Sequence, residues 1–302
     1  MIIVRLIGGL GNQMFQYATA RRLAEKHSTI VKLDVSEFET YKLHRYSLHC
    51  FHISENLATR NEVKHILGSA SLFLMADSNS KLRSSIRKGF KKLSLDKVWS
   101  NRILVEKSVE FNSQILNAPN NILLDGYWQS EKYFLDIKDI LYREFYIKYR
   151  QADENQRLAN SIQSTNSVSL HVRRGDYVKD IKANQVHGTC TEEYYSKSIA
   201  YISNYINDLH FFVFSDEPNW ARNNLKIGHP FTIVDCNDAS RNYEDLRLMS
   251  MCKHNITANS SFSWWGAWLN SNPGKIVCAP KSWFSTPAYS CTDLVPQSWV
   301  RL

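Results

Sequence analysis

Two adjacent arginines and an aspartate follow an apolar run in the segment SLHVRRGDYV, residues 169–178. Apolar and polar residues alternate from 168 to 172, which predicts a strand with Arg173 and Arg174 just beyond its carboxyl end. An arginine side chain presents a planar fork that pairs with two phosphate oxygens at once and keeps its charge. The segment therefore predicts a diphosphate site. A salt bridge between one arginine and Asp176 is the structural alternative, and the two arginines can also divide these roles.

Acidic and small polar residues occupy the ends of two further predicted strands. Acids follow a strand in FSDE, residues 214–217. In TANSSFSWWGAWL, residues 257–269, three small polar residues stand between a strand and a helix. Asn259, Ser260 and Ser261 can cap that helix and also present polar side chains and backbone N–H groups to phosphate. Capping alone, which needs only one of the three, is the structural alternative.

The segment GGLGNQMFQYA, residues 8–18, imitates a dinucleotide-binding fingerprint, because its glycines follow a predicted strand and open a helix. The imitation fails at the third glycine position, where the side chain of Met14 would obstruct the close contact between helix and strand. What remains is a tight turn around Gly11 with Asn12 and Gln13 at a helix start. Such a turn suits an oxyanion or a sugar hydroxyl, and a plain structural turn is the alternative.

Strands and helices alternate along most of the chain. The amino terminus reads as strand, helix and strand, and the same alternation is clearer from residue 168 onward. It predicts parallel sheets covered on both faces, in which ligands collect at the carboxyl ends of the strands. A polar stretch rich in Ser and Asn, residues 155–167, is the best candidate for a boundary. It predicts two domains, 1–160 and 161–302.

The 302-residue chain has a formal net charge of +8, which suits a nucleic acid, a membrane surface or a phosphorylated small molecule. Much of the excess lies in residues 81–92, where basic and apolar residues recur at helical spacing. The pattern predicts a basic amphipathic helix that lies on an anionic membrane, covers a groove, or packs on its own domain with a solvated basic face. A nucleic acid is disfavoured, because the arginine pair stands apart from any continuous basic stripe interleaved with aromatic residues.

The six cysteines are scattered, with no C-x-x-C pair and no nearby paired histidines, so the sequence indicates neither a zinc site nor a disulfide framework. The first residues are unlike a signal peptide, and no apolar run approaches the ~18 residues of a membrane span. These features favour a reduced, cytosolic protein, or at most one attached to a membrane surface.

Five segments together resemble a known family. GGLGNQMFQYA, GYWQSEKYF, HVRRGDYV, FVFSDE and NITANSSFSWWGAWL follow one another from residue 8 to about 280 and are similar to the bacterial α-1,2-fucosyltransferases of glycosyltransferase family eleven, with the H-x-R-R-x-D signature intact. The resemblance implies the two-domain GT-B fold, in which two Rossmann-like domains with parallel sheets face a central cleft. It also implies inverting transfer of L-fucose from GDP-fucose to the 2-hydroxyl of a galactoside. No cofactor or metal is implied, and the absence of a D-x-D motif agrees with metal independence.

The resemblance also implies roles for individual residues. The carboxyl-terminal half would hold GDP-fucose, with Arg174 at the β-phosphate and with His171 and Asp245 at positions that resemble guanine-recognising residues. The whole donor-binding set implied in this way is His171, Arg173, Arg174, Asp245, Asn259, Ser260 and Ser261, together with Gly11 and Gln13 from the amino-terminal half.

The expected catalytic residues are Asp176, Arg174 and Asn12. Inversion at the anomeric carbon requires a group that accepts the proton of the attacking hydroxyl while GDP departs. Asp176 is the carboxylate best placed by sequence, but orienting Arg174 is an alternative role, and a phosphate oxygen or water is an alternative base. The amino-terminal half is expected to bind the acceptor, with Gln129 and Tyr133 as candidates.

The expected partners are GDP-fucose and a galactose-terminated oligosaccharide or lipid-linked glycan of a surface polysaccharide such as O-antigen, with no nucleic acid. Since the chain begins directly at its first predicted strand, unlike the anchored animal members, we expect a bacterial cytoplasmic enzyme with peripheral contact at the inner membrane as a further hypothesis. Two alternatives stay open: a glycosyltransferase with another donor such as GDP-mannose, and a non-catalytic polysaccharide- or RNA-binding protein.

Overall fold

The chain folds into two compact α/β units. The computed structural model describes residues 1–41, 43–68, 102–286 and 292–302, which divide into unit 1, Met1–Tyr146, and unit 2, Ile147–Leu302. The basic stretch at 81–92 lies outside the described residues, so its helix stays a prediction. Each unit holds its own parallel sheet, which confirms the α/β class predicted from the alternation of strands and helices.

Unit 1 contains four described strands and three described α-helices. The strands are β1 (Ile2–Arg5), β2 (Val31–Asp34), β3 (Ile103–Val105) and β4 (Ile122–Asp125), and the helices are α1 (Leu10–Lys26), α2 (Arg60–Leu67) and α3 (Lys138–Glu144). Short 3-10 helices lie at Ser36–Glu39, Leu48–Cys50, Ser113–Asn117, Glu131–Tyr133 and Leu135–Ile137.

The sheet of unit 1 is parallel, with the strand order β2-β1-β4-β3. Ile2, Ile3 and Val4 of β1 are fully buried, because a central parallel strand is covered on both faces and must be apolar on both. The carboxyl ends of β1 and β4 lie side by side, since Val4 pairs with Leu124. The glycine turn before α1 and the turn after β4 are therefore neighbours.

The described residues of unit 2 form six strands and seven helices. The strands are β5 (Asn166–Val172), β6 (Leu209–Ser215), β7 (Phe231–Val234), β8 (His254–Ile256), β9 (Val277–Ala279) and β10 (Val300–Arg301). The helices are α4 (Asp153–Ser164), α5 (Gly175–Lys179), α6 (Ile181–His187), α7 (Glu192–Ser203), α8 (Pro218–Asn224), α9 (Asn242–Met251) and α10 (Ser261–Leu269).

The sheet of unit 2 is parallel in the order β10-β9-β8-β5-β6-β7. The chain passes from β5 to β6 and β7 on one side, then returns to β8 on the other side of β5 and continues to β9 and β10. This is the doubly wound order, and its direction reverses between β5 and β8. Connections that leave two adjacent strands in opposite directions open a crevice between the strand ends, and ligands of such sheets bind in that crevice.

Two buried tyrosines of α7 fix the strand ends beside this reversal. The hydroxyl of Tyr195 donates to the carbonyl of His171 at 3.1 Å, at the end of β5. The hydroxyl of Tyr194 lies 2.7 Å from the carbonyl of Thr257, just after β8, and 3.2 Å from that of Cys278, one residue before the end of β9. Buried polar groups in such bonds hold their partners in one geometry. The helix therefore positions three strand ends as well as covering the sheet.

The polar stretch at 155–167, predicted as a candidate for a domain boundary, forms most of a helix and the start of a strand. Ala159 and Ile162 of α4 are fully buried and pack in a core cluster with Phe212 of β6. The stretch belongs to unit 2 because its few apolar residues share one helical face. The division after Tyr146 therefore lies earlier in the chain than the predicted boundary between 160 and 161.

No helix in the described ranges is both long enough and apolar enough to cross a membrane.

Replacing Tyr194 with phenylalanine should destabilise the protein by about 1–2 kcal/mol, because a buried carbonyl loses its hydroxyl donor without gaining water. Urea unfolding followed by far-UV circular dichroism measures the change. Tyr205→Phe is the matched control, since Tyr205 is 64% exposed and its substitution should change stability by less than ~0.5 kcal/mol. Equal stability of the two variants would contradict the role of Tyr194.

Candidate active site

The candidate site of unit 2 lies where the strand order reverses. Leu170 of β5 pairs with Ile256 of β8, so the residues that follow these two strands emerge next to each other. The segment after β5 carries the arginine pair, and the segment after β8 carries Ser260 and leads into α10. Two motifs that lie far apart in the sequence are thus brought to one crevice, as the predicted parallel sheet requires.

Both arginines have carboxylate partners from the end of β6. Arg173 Nη1 lies 3.0 Å from Asp216 Oδ2, and Arg174 Nε lies 3.2 Å from Glu217 Oε2. The other oxygen of Asp216 accepts a hydrogen bond of 2.9 Å from the backbone N–H of Arg174. The close approach of Asp216 also explains Gly175, where a Cβ atom would come within 2.7 Å of an Asp216 oxygen.

Aromatic rings support the same arginines. The guanidinium carbon of Arg174 lies 3.9 Å from the centroid of the Trp220 ring. That of Arg173 lies 5.6 Å from the Tyr177 ring. Arginine stacks well on an aromatic face, and the contact leaves the edges of the guanidinium for other partners. Trp220 and Glu217 together hold Arg174 in a defined orientation.

The side chain of Asp176 lies outside the described part of the chain, and its backbone is in α5 directly after the arginines. Its predicted catalytic role therefore stays a prediction. The arginine partners that the structure does describe are Asp216 and Glu217. Their acidic segment was visible in the sequence, but the pairing depends on β6 lying beside β5, and no local pattern encodes that neighbourhood. Trp220 carried no signal in the sequence for its contact with Arg174.

His171 is a buried, neutral group beside the arginines. Burial, reinforced by Arg173 and opposed by Asp216, lowers the pKa of its imidazole to about 4. Its Nδ1 atom is buried and has no hydrogen-bond partner among the described residues. A buried polar atom without a partner is uncommon in folded proteins and is a natural place for a ligand contact.

The start of α10 offers polar groups on the other side of the crevice. Ser260 is the N-cap of α10, and its hydroxyl accepts a hydrogen bond of 3.3 Å from the backbone N–H of Phe262. Ser261, the first residue of the helix, is partly exposed. The first N–H groups of a helix have no partners within the helix, and the helix dipole favours an anion there. This end therefore suits phosphate oxygens.

Asn259, predicted to contact phosphate, has a structural role in unit 2. It is 3% exposed, and its amide donates to the carbonyl of His187 at 2.8 Å, with longer bonds to two further carbonyls. Its Oδ1 atom lies 3.6 Å from Cys190 Sγ. Both ends of the side chain are used within unit 2, so Asn259 ties the segment after β8 to neighbouring loops.

Asp245 lies in the first half of α9, the helix that follows the edge strand β7. In the sheet, β6 lies between β7 and β5. Burial raises the pKa of its carboxyl to about 7, Glu244 adds to the effect, and a hydrogen bond of 2.8 Å from Asn237 opposes it. Such a carboxyl exchanges its proton near neutral pH. The structure places Asp245 at the same sheet edge as His171 but gives no direct contact between them.

In unit 1 the structure joins two predicted residues from separate motifs. Gln129 Nε2 donates to Asn12 Oδ1 at 2.8 Å, linking the turn after β4 to the start of α1. Gly8 has a φ of +85° and lies against the Asn12 side chain. Gly11 is buried in the first turn of α1. Asn12 and Gln129 are both partly exposed, which leaves them at the surface of this edge.

Two residues of unit 1 that were predicted to bind substrate are buried and have intramolecular partners. Gln13 is fully buried, and its amide donates at 2.8 Å to the carbonyls of Gly8 and Arg45 while its oxygen accepts from the N–H of Ser47 at 2.8 Å. It therefore holds the loop at residues 45–47 against the start of α1. Tyr133, predicted to bind acceptor, is 2% exposed, packs edge-on against Trp128, and takes a hydrogen bond from the backbone of Asn112.

Comparisons with known proteins agree on one family. The model of "Glycosyl transferase family 11" matches residues 1–302. An alpha-1,2-colitosyltransferase from Escherichia coli is 36% identical, over 100% of this chain and 99% of that protein. The O-antigen biosynthesis glycosyltransferase WbnK, also from Escherichia coli, is 32% identical over 98% of this chain and 99% of that protein.

A solved structure shares the fold. The crystal structure of the fucosyltransferase NodZ from Bradyrhizobium is similar with a TM-score of 0.52 and 12% identity, over 88% of this chain and 90% of that chain. At this identity the likeness concerns the fold alone. It confirms the GT-B class expected from the sequence, in which two Rossmann-like units each carry a parallel sheet.

Asp245 should make the protein less stable as the pH rises through 7. The folded carboxyl holds its proton up to about pH 7, whereas the unfolded one ionises near its ordinary value of 3.8. The folded state binds more protons between these values, so its unfolding free energy should fall by about 1 kcal/mol between about pH 6 and pH 7 and change little above that. Chemical denaturation at both pH values should show this slope in the wild type and lose it in Asp245→Asn. The control Asp235→Asn, at a half-exposed carboxylate, should keep the slope, and an unchanged slope in Asp245→Asn would contradict the assignment.

Proposed function

The chain belongs to glycosyltransferase family 11 and is a glycosyltransferase, and we propose that it transfers L-fucose from GDP-fucose to the 2-hydroxyl of a galactoside with inversion. The observation that carries the proposal is the arginine pair beside the N-terminus of α10 at the strand reversal of unit 2. Two relatives named as an alpha-1,2-colitosyltransferase and an O-antigen glycosyltransferase support a role in surface polysaccharide synthesis.

The diphosphate of the donor is proposed to lie between the arginines and the start of α10. Arg174 meets the β-phosphate, Arg173 supports the diphosphate, and Ser260 and Ser261 offer hydroxyl and N–H groups from the opposite side. Negative charge grows on the β-phosphate as the sugar leaves, so a fixed guanidinium there stabilises the transition state more than the ground state. The arrangement supplies this counter-charge from side chains, and we expect no metal requirement.

The guanine base is proposed to be read by His171 and Asp245. Guanine presents N–H donors at N1 and N2 and acceptors at O6 and N7. A carboxylate accepts hydrogen bonds from the N1 and N2 donors, and a neutral imidazole N–H donates to the O6 or N7 acceptor. Asp245 must be ionised to accept both bonds, so protonation below its pKa of about 7 would weaken donor binding on the acid side.

The acceptor is proposed to bind at the edge of unit 1 that carries Asn12 and Gln129. The amide pair is partly exposed and offers both donors and acceptors to sugar hydroxyls. A galactose-terminated oligosaccharide or a lipid-linked glycan fits this chemistry, and for the latter we propose peripheral contact with the inner face of the plasma membrane. Asp176 is kept as the proposed catalytic residue next to Arg174, either as the base or as its orienting group.

A second donor has specific support. The relative that is 36% identical is named as a colitosyltransferase, and colitose is fucose without its 3-hydroxyl. GDP-fucose and GDP-colitose share the same diphosphate and guanine groups. The residues of unit 2 proposed to contact these groups would therefore bind either donor. GDP-mannose is a third candidate, since arginines on a diphosphate do not read the sugar. Membership of an enzyme family removes the non-catalytic alternative.

Transfer assays with GDP-fucose, GDP-colitose and GDP-mannose and a set of β-galactosides test the proposal. We expect GDP-fucose to give a product fucosylated at the 2-hydroxyl of galactose, identified by linkage analysis, with the same rate when EDTA is present. A preference of tenfold or more for GDP-colitose would assign the colitose donor instead. Use of GDP-mannose alone would contradict both assignments, and loss of transfer in EDTA would contradict metal independence.

Arg174→Ala should lower the transfer rate at least ~100-fold, the scale seen when one preorganised partner of transition-state charge is removed. Steady-state kinetics with the preferred donor measures the loss. Arg222→Ala is the matched control, because Arg222 is half-exposed and pairs with Asp235, and it should keep the wild-type rate. Near-normal turnover of Arg174→Ala would show that the phosphate contact lies elsewhere.

A further inference from the structure

The turn that follows β4 is held by one carboxylate. Glu106, immediately after β3, accepts a hydrogen bond of 2.7 Å from the backbone N–H of Tyr127 and one of 2.9 Å from that of Trp128, each through a different oxygen. Its own backbone N–H donates to the carbonyl of Asp125 at 2.9 Å. Because β3 pairs with β4, Glu106 reaches the turn without leaving the sheet edge.

The backbone of the turn is in a conformation that needs such support. Trp128 has a φ of +57°, in the left-handed region that a bulky side chain rarely adopts. Its indole nitrogen is buried and has no hydrogen-bond partner among the described residues. Strained backbone of this kind persists where surrounding contacts over-determine it, and it concentrates at functional sites.

Close packing fixes the first residue of the turn as well. A Cβ atom at Gly126 would lie 2.4 Å from Glu106 Cβ and 2.9 Å from the Trp128 ring, so only glycine fits there. The carbonyl of Gly126 accepts a hydrogen bond of 3.1 Å from the buried amide of Gln16 in α1. The turn is thus held from β3 on one side and from α1 on the other.

The strained residue separates two side chains at the proposed acceptor edge. Trp128 is 1% exposed and packs in the core, while Tyr127 before it is 39% exposed. Gln129 after it reaches Asn12. The left-handed step at Trp128 reverses the chain so that the ring turns inward while its two neighbours stay at the surface. Neither neighbour would keep its place if the turn relaxed to an ordinary conformation.

We propose that Glu106 is a positioning residue of the acceptor site, which acts through the backbone of residues 126–129 and does not touch the sugar. The inference rests on the proposed function, because it concerns the acceptor of that reaction. Its chemistry requires a carboxylate, since both oxygens accept from N–H groups. A glutamine would bring an amide N–H group against one of those donors, and the clamp would lose one of its two bonds.

Glu106→Gln in the full chain tests the proposal, with whichever donor of the panel the wild type uses. We expect the KM for the galactoside to rise about tenfold, the scale of one lost hydrogen bond to a charged group. The KM for the sugar nucleotide and the rate of donor hydrolysis without acceptor should stay within twofold of the wild type. Glu110→Gln, at an exposed carboxylate of the same segment, is the control and should change none of these values.

A purely structural role is separated by two further measurements. Amide hydrogen exchange at Tyr127 and Trp128 should be faster in Glu106→Gln while the rest of unit 1 exchanges as in the wild type. A cycle with Gln129→Ala should be non-additive in acceptor KM, because both changes act on one turn. Equal increases in donor and acceptor KM, additive effects, or unchanged exchange at the turn would each overturn the proposal. Absence of transfer by the wild type with every donor would instead reject the proposed function, and the acceptor role of Glu106 with it.

Discussion

The reversal of strand order between β5 and β8 is the constraint on which the rest of unit 2 depends. Every strand of this sheet is parallel, so every connection must cross from the carboxyl end of one strand to the amino end of the next. Right-handed crossovers send the connections of β5 and β8 to opposite faces of the sheet. The space left between them cannot be filled by either helix, and the residues that follow both strands must line it. Arginines on one side and a helix N-terminus on the other therefore line the same crevice.

The acids beside the arginines orient them more than they stabilise the fold. Opposite charges ~4 Å apart attract by about 4 kcal/mol near a protein surface, but desolvation and side-chain ordering reduce the net value of a partly exposed pair to about 0–1 kcal/mol. Arg174 is about one-fifth exposed, so its pair with Glu217 belongs to the weaker class. The pair mainly orients Arg174, because Glu217 contacts the Nε side of the guanidinium and the Trp220 ring covers one of its faces. The Nη edge then keeps one orientation before any ligand arrives, which lowers the entropy lost on binding.

The sequence predicted elements and strand ends well but predicted the partners of polar side chains poorly. The alternation from 168 to 172 and the glycine turn at 8–11 placed the arginines and the start of α1 correctly, because periodicity and turn chemistry are local. Gln13 and Asn259 were predicted by the same logic, and the structure shows both side chains buried and hydrogen-bonded within their own units. Their partners include the carbonyls of Arg45 and His187, which only the tertiary fold brings near. An amide side chain that is buried and bonded to backbone groups far away in the sequence has the same local sequence pattern as an amide that binds a ligand. The burial of Tyr133 was not foreseen for a related reason, since an aromatic ring in a motif can pack in the core as readily as it can contact a sugar.

The two proposed donors, GDP-fucose and GDP-colitose, differ in a way that makes discrimination between them asymmetric. A site that hydrogen-bonds the 3-hydroxyl of fucose would have unpaired polar groups when colitose is bound. Such sites reject an analogue that lacks the hydroxyl by ~10⁴-fold or more. A site shaped for colitose has no such groups and would reject an added hydroxyl by only ~10²-fold. The residues proposed to contact phosphate and guanine would contribute nothing to this difference, because both donors present the same diphosphate and base to them. Fast use of GDP-colitose together with slower but measurable use of GDP-fucose therefore indicates a colitose site. Near-absolute preference for GDP-fucose indicates buried polar groups that contact the 3-hydroxyl.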